Sequence, residues 1–241
     1  MNKEKNMALQ FIFGNSGSGK SAWLYEYVLK KAKQHPQKDF LFLVPEQFTM
    51  QTQKEFVNRH PAHSILNIDV LSFQRLAYRV FDDLGMMDFV VLEETGKNLV
   101  LRKVAAAEEK NLQLLGGSIR KTGYISELKS LISELAQYYV TPEDLEQAKD
   151  TLESKNALWY KITDILTLYR GYQQFLEGKY VAADEIITLL TKAAPESEML
   201  RGSVVVLDGF TGFTPVQNAF LKELLALAES VHVALTMDMR E

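Results

Sequence analysis

An α/β fold, in which a parallel sheet is interrupted by a long helical block, is the class this sequence predicts, on three observations. Short apolar runs stand near both ends of the chain, helical patterns separate them, and the block from Ser72 to Gly202 carries almost no strand signal. The β-prone runs are Leu9 to Phe13, Phe40 to Val44, Ile65 to Leu71, Val204 to Leu207 and Val231 to Thr236. They read as near-continuously apolar rather than alternating, as strands do when both faces of a sheet are covered.

The first two runs are joined by a helical stretch from Lys20 to Lys33, with Leu24, Tyr27, Val28 and Lys31 at helical spacing, which makes a βαβ unit. Gln51 to Asn58 supplies a second crossover. The long block then reads as helices over Phe73 to Leu84, Leu92 to Glu109, Tyr124 to Tyr139, Ala157 to Leu176 and Ala183 to Lys192, with a short helix started by "TPED". In that signal Thr141 is the N-cap, Pro142 the first helical residue and Asp144 the partner of the cap. After the fourth strand, "TPVQNAFLKELLALAES" opens in the same way with Thr214 and Pro215. A block this long is no loop and has to pack its apolar faces. The expected organisation is an α/β core over 1–75 and 200–241 with an all-helical insertion over 76–199, whose mobile turn falls between Gly116 and Gly123. The final "VHVALTMDMRE" reads as a strand and its exit, which suggests a chain cut from something longer.

Composition narrows the class. The 241 residues are 46% hydrophobic, enough for a real core, and include no cysteine, so these residues offer no disulfide framework, thiolate zinc site or iron–sulfur ligand. A cytoplasmic location is expected. No apolar run approaches the ~18 residues that span a bilayer, and the N-terminal segment is cut too early for a secretory leader. A formal net charge of −4 argues against a uniformly basic nucleic-acid binder but leaves room for a local basic groove.

The stretch "LQFIFGNSGSGKSAWLYEYVL" carries the chemistry. Gly14, Gly17, Gly19, Lys20 and Ser21 match G-x-x-x-x-G-K-[ST] between a strand and a helix, the context that a phosphate-binding loop requires. Glycines let successive backbone N–H groups turn toward a phosphate, and the following helix adds the positive end of its dipole. The expected nucleotide site is Gly14, Asn15, Ser16, Gly17, Ser18, Gly19, Lys20 and Ser21. Lys20 would reach the terminal phosphates of ATP, and Ser21 would offer its hydroxyl to Mg²⁺. A second metal-holding group should end a neighbouring apolar strand, and Asp208 does so in "SVVVLDGFTGFT". The next residue is Gly209, where a hydrolytic site would carry a carboxylate to position water, a group that contributes ~10²–10⁴-fold in rate. ATP binding is therefore expected and hydrolysis doubtful, with no catalytic residue assigned.

The order of these pieces resembles the first α/β domain of UvrD-like superfamily 1 helicases. The wording "FGNSGSGKS", "LVPEQFT" and "DVLSFQRLAYRVF" resembles more narrowly the AddB family, B subunits of bacterial AddAB helicase–nucleases, over nearly the whole chain. That resemblance implies an N-terminal fragment of a DNA double-strand break repair subunit. Its iron–sulfur cluster and nuclease domain would belong to a missing C-terminal part, and an AddA-like partner would supply the motor. It implies degenerate motor motifs, which Gly209 suits, and a part in recognising the Chi sequence. By position in such helicases, the loops after the second and third strands would face single-stranded DNA: Pro45, Glu46, Gln47, Phe48 and Thr49, then Ser72, Phe73 and Gln74. Phe48 and Phe73 would stack on bases and Thr49 and Ser72 would donate to phosphates. Phe73 alternatively fills the core at a helix start, and Glu46 alternatively caps the following helix.

Other signals are bland. His60 and His63 in "HPAH" have two-ligand spacing, but Pro61 and the absence of cysteine favour an exposed turn. Trp23, Tyr25 and Tyr27 read as packing, and Glu143 to Glu153 as a solvated helix face. Two other functions compete: a small-molecule P-loop kinase, disfavoured because Arg75, Arg79, Arg102, Arg120, Arg170 and Arg201 are scattered rather than clustered, and a structural module with a vestigial loop.

Overall fold

A computed structural model describes residues 8–237 except Ala62, Met87, Arg120 and Thr122. The N-terminal segment before Ala8, two positions of the Gly116–Gly123 turn and the last residues of the expected C-terminal exit thus lie outside the described residues. In chain order the elements are β1 (Ala8–Gly14), α1 (Lys20–Gln34), β2 (Phe40–Leu43), α2 (Thr49–Arg59), β3 (Ile68–Leu71), α3 (Phe73–Asp83), β4 (Val90–Leu92), α4 (Glu94–Glu108) and α5 (Tyr124–Gln137). There follow α6 (Pro142–Asp150), α7 (Ala157–Leu176), β5 (Tyr180–Ala182), α8 (Ile186–Ala193), β6 (Val204–Leu207), α9 (Pro215–Leu227) and β7 (Ser230–Thr236). No helix among the described residues is long and apolar enough to cross a membrane.

The chain divides into two compact units, Met1–Met87 with Ile187–Glu241, and Asp88–Ile186. The first unit holds a five-stranded, wholly parallel sheet in the order β1-β7-β6-β2-β3. β2 and β6 are buried at every position, which is why neither alternates in sequence. Phe40, Phe42, Val204 and Val206 pack with Leu24 and Val28 of α1 and Phe56 of α2. The intervening Leu41, Leu43, Val205 and Leu207 are equally buried and point to the other face.

Right-handed crossovers explain the two layers. The β2–β3 connection runs away from β1 and the β6–β7 connection runs toward it, so α2 and α9 fall on opposite faces. Phe73 of α3 meets Phe220 of α9 with ring centroids 6.0 Å apart. The third strand is shorter than the sequence predicts, because Ile65 to Asn67 serve as a connection. The Asn67 Nδ2 donates to the carbonyls of Ala32, His35 and Lys38 at 3.3, 3.2 and 3.0 Å, closing the end of α1, while its own carbonyl accepts from Phe40 N at 3.0 Å at the start of the ladder.

The second unit is mainly helical, but it corrects the expectation of an all-helical block. β4 and β5 pair in parallel from Val90↔Tyr180 to Leu92↔Ala182. Three-residue strands far apart in sequence leave no periodicity to read, and Leu92 belongs to the strand rather than to the following helix. The unit boundaries also differ from 76–199. α3 groups with the sheet, because its buried Leu76, Ala77, Val80 and Phe81 form the face of a strongly amphipathic helix lying beside β3. The caps follow the sequence signals: Thr141 with Asp144 and Thr214 with Gln217 each form a capping box with proline at the start.

Within this second unit Leu101 and Val104 of α4 pack with Leu168 and Tyr172 of α7. Gly171 permits that approach, since a Cβ there would lie 2.7 Å from Val104 Cγ1. The Asp164 carboxylate accepts the backbone N–H groups of Gln113, Leu114 and Leu115 at 2.7–2.8 Å, fastening that segment to α7. Lys97 is fully buried, and its three protons go to Asp184 Oδ2 at 2.5 Å, Ser133 Oγ at 2.7 Å and Glu94 Oε1 at 3.1 Å.

These buried polar groups set the stability of each unit in a measurable way. Lys97→Ala leaves Asp184 without its cation and lowers the unfolding free energy by about 3–5 kcal/mol, read from urea denaturation. In the first unit, burial together with nearby Lys31 holds His232 below the usual imidazole pKa. The unfolded chain, with its histidine near pKa ~6.5, then takes up the proton first. The stability that neutral His232 contributes is complete above that value and is lost as pH falls through it toward the depressed folded pKa. The urea midpoint therefore drops more between about pH 7.5 and about pH 5.5 in the wild type than in His232→Gln.

Candidate functional site

All strands of the main sheet end on one edge, so Gly14, the Pro45–Phe48 loop, Ser72 and Asp208 emerge together. In open α/β sheets ligands occupy the crevice beyond the carboxyl ends, where neighbouring crossovers leave in opposite directions. Here that point lies between β2 and β6.

The glycine-rich loop runs from the end of β1 to the start of α1. The Ser18 N–H donates to Asn15 O at 3.2 Å, and Gly19 enters the helix with φ 87°, a left-handed conformation that glycine adopts without a steric cost. A Cβ on Gly14 would come within 2.5 Å of Ser18 Oγ and 3.3 Å of Ser18 Cβ, so a larger residue there would force the serine hydroxyl aside. No side chain caps α1 and no acidic residue sits in its first turn, which leaves the positive end of the dipole open to an anion. Lys20 Nζ lies over the loop, donating to the carbonyls of Gly14 and Asn15 at 2.8 Å each. These features fit a bound triphosphate.

Asp208 follows β6, and its own N–H donates to Leu43 O at 3.0 Å. The residue is 7% exposed, and among the described residues its carboxylate has no hydrogen-bond or ion-pair partner. With no protein donor on it and its oxygens still open to solvent, this carboxylate is free to accept a cation, which fits a metal-holding role. β7 separates β6 from β1, so these two strands lie about 10 Å apart laterally at two inter-strand spacings, and the register carries Gly14 three residues further along than Leu207. Gly209 has φ 77°, and its α-carbon faces the preceding loop: a Cβ would lie 3.6 Å from Pro45 and 3.7 Å from Phe48. The glycine both removes a carboxylate from this position and lets the chain turn beside that loop.

The expected DNA-facing residues separate into two groups. Gln47 and Phe48 are exposed, Phe48 by 42%, whereas Thr49, Ser72 and Phe73 are buried. The Thr49 hydroxyl donates to Glu46 O at 2.9 Å, and Ser72 Oγ donates to the Glu46 carboxylate while accepting from Arg75 N at 3.3 Å. Phe73 packs among Phe210, Phe213 and Phe220, so it fills the core instead of presenting a ring to a base. The aromatics of "GFTGFT" supply that cluster, a role that sequence spacing does not reveal.

Glu46 does not cap α2. Its carboxylate joins Ser72 and Arg75 Nε, the latter at 2.9 Å, and ties the loop after β2 to the start of α3. The Ser72 hydroxyl first, and Arg75 after it, hold the Glu46 carboxyl below the usual range. Tyr25 packs against Phe42 and Phe56, while Trp23 stacks on Tyr27 at 5.3 Å and stays half exposed. His60 and His63 close α2 in a turn, with the His63 ring against Val57 O.

A family model described as "ADDB, N-terminal" matches residues 11–241. Among curated proteins, the B subunit of the ATP-dependent helicase/deoxyribonuclease of Lachnoclostridium phytofermentans is 46% identical over 96% of this chain and 20% of its own length. The corresponding B subunit of Desulforudis audaxviator is 38% identical, and that of Alkaliphilus metalliredigens 33%, each over 97% of this chain and 20% of their own lengths. The chain thus spans about a fifth of the relatives it matches.

The division between exposed and buried aromatics is testable by chemical denaturation. Phe73→Ala should cost about 3–5 kcal/mol of stability as a buried truncation, whereas Phe48→Ala should stay within about 0.5 kcal/mol of wild type.

Proposed function

Because the chain belongs to the AddB N-terminal family, we propose that it is the nucleotide-holding, DNA-facing N-terminal part of a helicase/deoxyribonuclease B subunit acting in DNA double-strand break repair. The observation that carries this reading is the pairing of a complete glycine-rich loop with Asp208, whose carboxylate has no partner among the described residues, and a glycine directly after it.

Gly14 to Gly19 surround the triphosphate of ATP with backbone N–H groups, and Lys20 exchanges its two loop carbonyls for phosphate oxygens. Ser21 and Asp208 hold Mg²⁺, which supplies charge neutralisation between phosphates when bound. With Gly209 at the water-positioning place, the site favours retention of nucleotide over turnover. Such a site suits a subunit whose movement is driven by an AddA-like partner, and whose own share is to hold DNA or take part in Chi recognition. Gln47 and Phe48 offer an amide and an exposed ring at the loop beside Gly209, and Phe48 is the residue there that can stack on a base. An iron–sulfur cluster and a nuclease site belong to the remainder of the longer protein.

Nucleotide binding and steady-state hydrolysis measured on this chain test the reading. Saturating Mg-ATP at 100 times Kd should stabilise the wild type by about 2.7 kcal/mol, and Lys20→Ala should abolish that gain. Asp208→Asn should remove the part of the affinity that depends on Mg²⁺, and turnover should be lower by ~10²–10⁴-fold than in a motor with the full carboxylate pair. Brisk turnover by the isolated chain would sink the proposal.

A further inference from the structure

Between the C-terminal ends of α1 and α2 and the segment entering β3 lies a cleft of about 620 Å³. Leu29 and Ile65 contribute to its apolar wall, and Leu66 stands at its lip with its side chain 97% exposed. The Asn67 amide, fastened to the last carbonyls of α1, fixes the approach to β3, with Ile65 half-buried and Leu66 outward. A leucine left in water forgoes the free energy that burial would return, and nothing among the described residues covers this one.

The charge around the cleft has one sign. Lys30, Lys33 and Arg59 line it, and among the described residues no Asp or Glu does. Arg59 is already paired with Glu55 at 3.2 Å and Glu26 at 3.9 Å, whereas Lys30 and Lys33 have no ion pair among the described residues. In a chain of net charge −4 this is a local reversal. Lysines near the end of α1 complement its dipole, but that role does not account for the apolar wall or for Leu66. A phosphodiester strand would use the lysines and leave the apolar surface wet. A peptide can satisfy both, in the manner of a segment laid in a groove by its apolar face.

We propose that this cleft docks a peptide segment of a partner protein in which a large apolar side chain is flanked by carboxylates. The cleft lies where β2 and β3 begin, at the edge of the sheet opposite to the glycine-rich loop, so it can be filled while that loop holds a nucleotide. The proposal does not depend on nucleotide binding.

Selection of short random peptides from a display library on the 241-residue chain tests it, with peptides that also bind the Leu66→Asp/Lys33→Glu double variant discarded. The retained peptides should share a Leu, Ile or Phe next to Asp or Glu. Their affinity should fall about tenfold or more in Leu66→Asp and in Lys30→Glu/Lys33→Glu; Leu66→Asp should keep the wild-type thermal midpoint because the side chain is exposed, and the lysine reversals should stay folded with a midpoint lowered slightly through the α1 dipole. Peptides with Lys in place of Glu should prefer the charge-reversed chain. Failure to retain any discriminating peptide, or retention without an acidic bias, overturns the proposal. So does an oligonucleotide that binds through Lys30 and Lys33 where no peptide does, which assigns the cleft to nucleic acid.

Discussion

The parallel pairing of β2 with β6 is the interaction on which the sheet unit depends. Phe40 to Leu43 stand opposite Val204 to Leu207, and all of these residues are buried. Burial contributes about 1.5–3 kcal/mol for each such side chain, so the pair outweighs the entropy of bringing sequence-distant strands together. It also decides where chemistry can occur. With β3 on one side and β7 on the other, the two crossovers leave in opposite directions, and the crevice opens between the Pro45–Phe48 loop and Asp208-Gly209.

Along this edge of the sheet the polar groups differ in how far their needs are met. The Lys20 ammonium rests on two backbone carbonyls, and Glu46 is bound by Ser72 and Arg75, while the Asp208 carboxylate has no donor among the described residues. A carboxylate that no protein donor occupies is where a cation can be taken up, because binding there breaks no bond that the fold has already made. Glu46 shows the opposite outcome. In sequence it reads as a carboxylate set against a phosphate path, yet in the fold its charge binds two loops together.

The second unit solves its polar problem with carboxylates and one buried cation. Asp164 gathers three backbone donors from one turn, and Lys97 finds three acceptors from three elements. Such networks define one arrangement of helices more sharply than apolar packing does, because a shifted register would strand a charge.

The apolar runs, the glycine-rich motif and the helix starts at Thr141 and Thr214 were legible from residue order, since each depends on neighbours within a few positions. So was the candidate pair of Lys20 and Asp208, through motif spacing and an apolar strand ending in an acid. The three-residue strands β4 and β5 were not, because a parallel pair is defined by a partner far away in the chain. Exposure at the loops was equally hidden: Phe48 and Phe73 look alike in sequence, and only the cluster with Phe210, Phe213 and Phe220 buries one of them. The sequence by itself determined which segments form the glycine-rich loop and the sheet, because local sterics and apolar patterning suffice for that. Tertiary structure alone decided which side chains remain free to meet a ligand, because burial and hydrogen-bond satisfaction depend on residues brought from elsewhere in the chain.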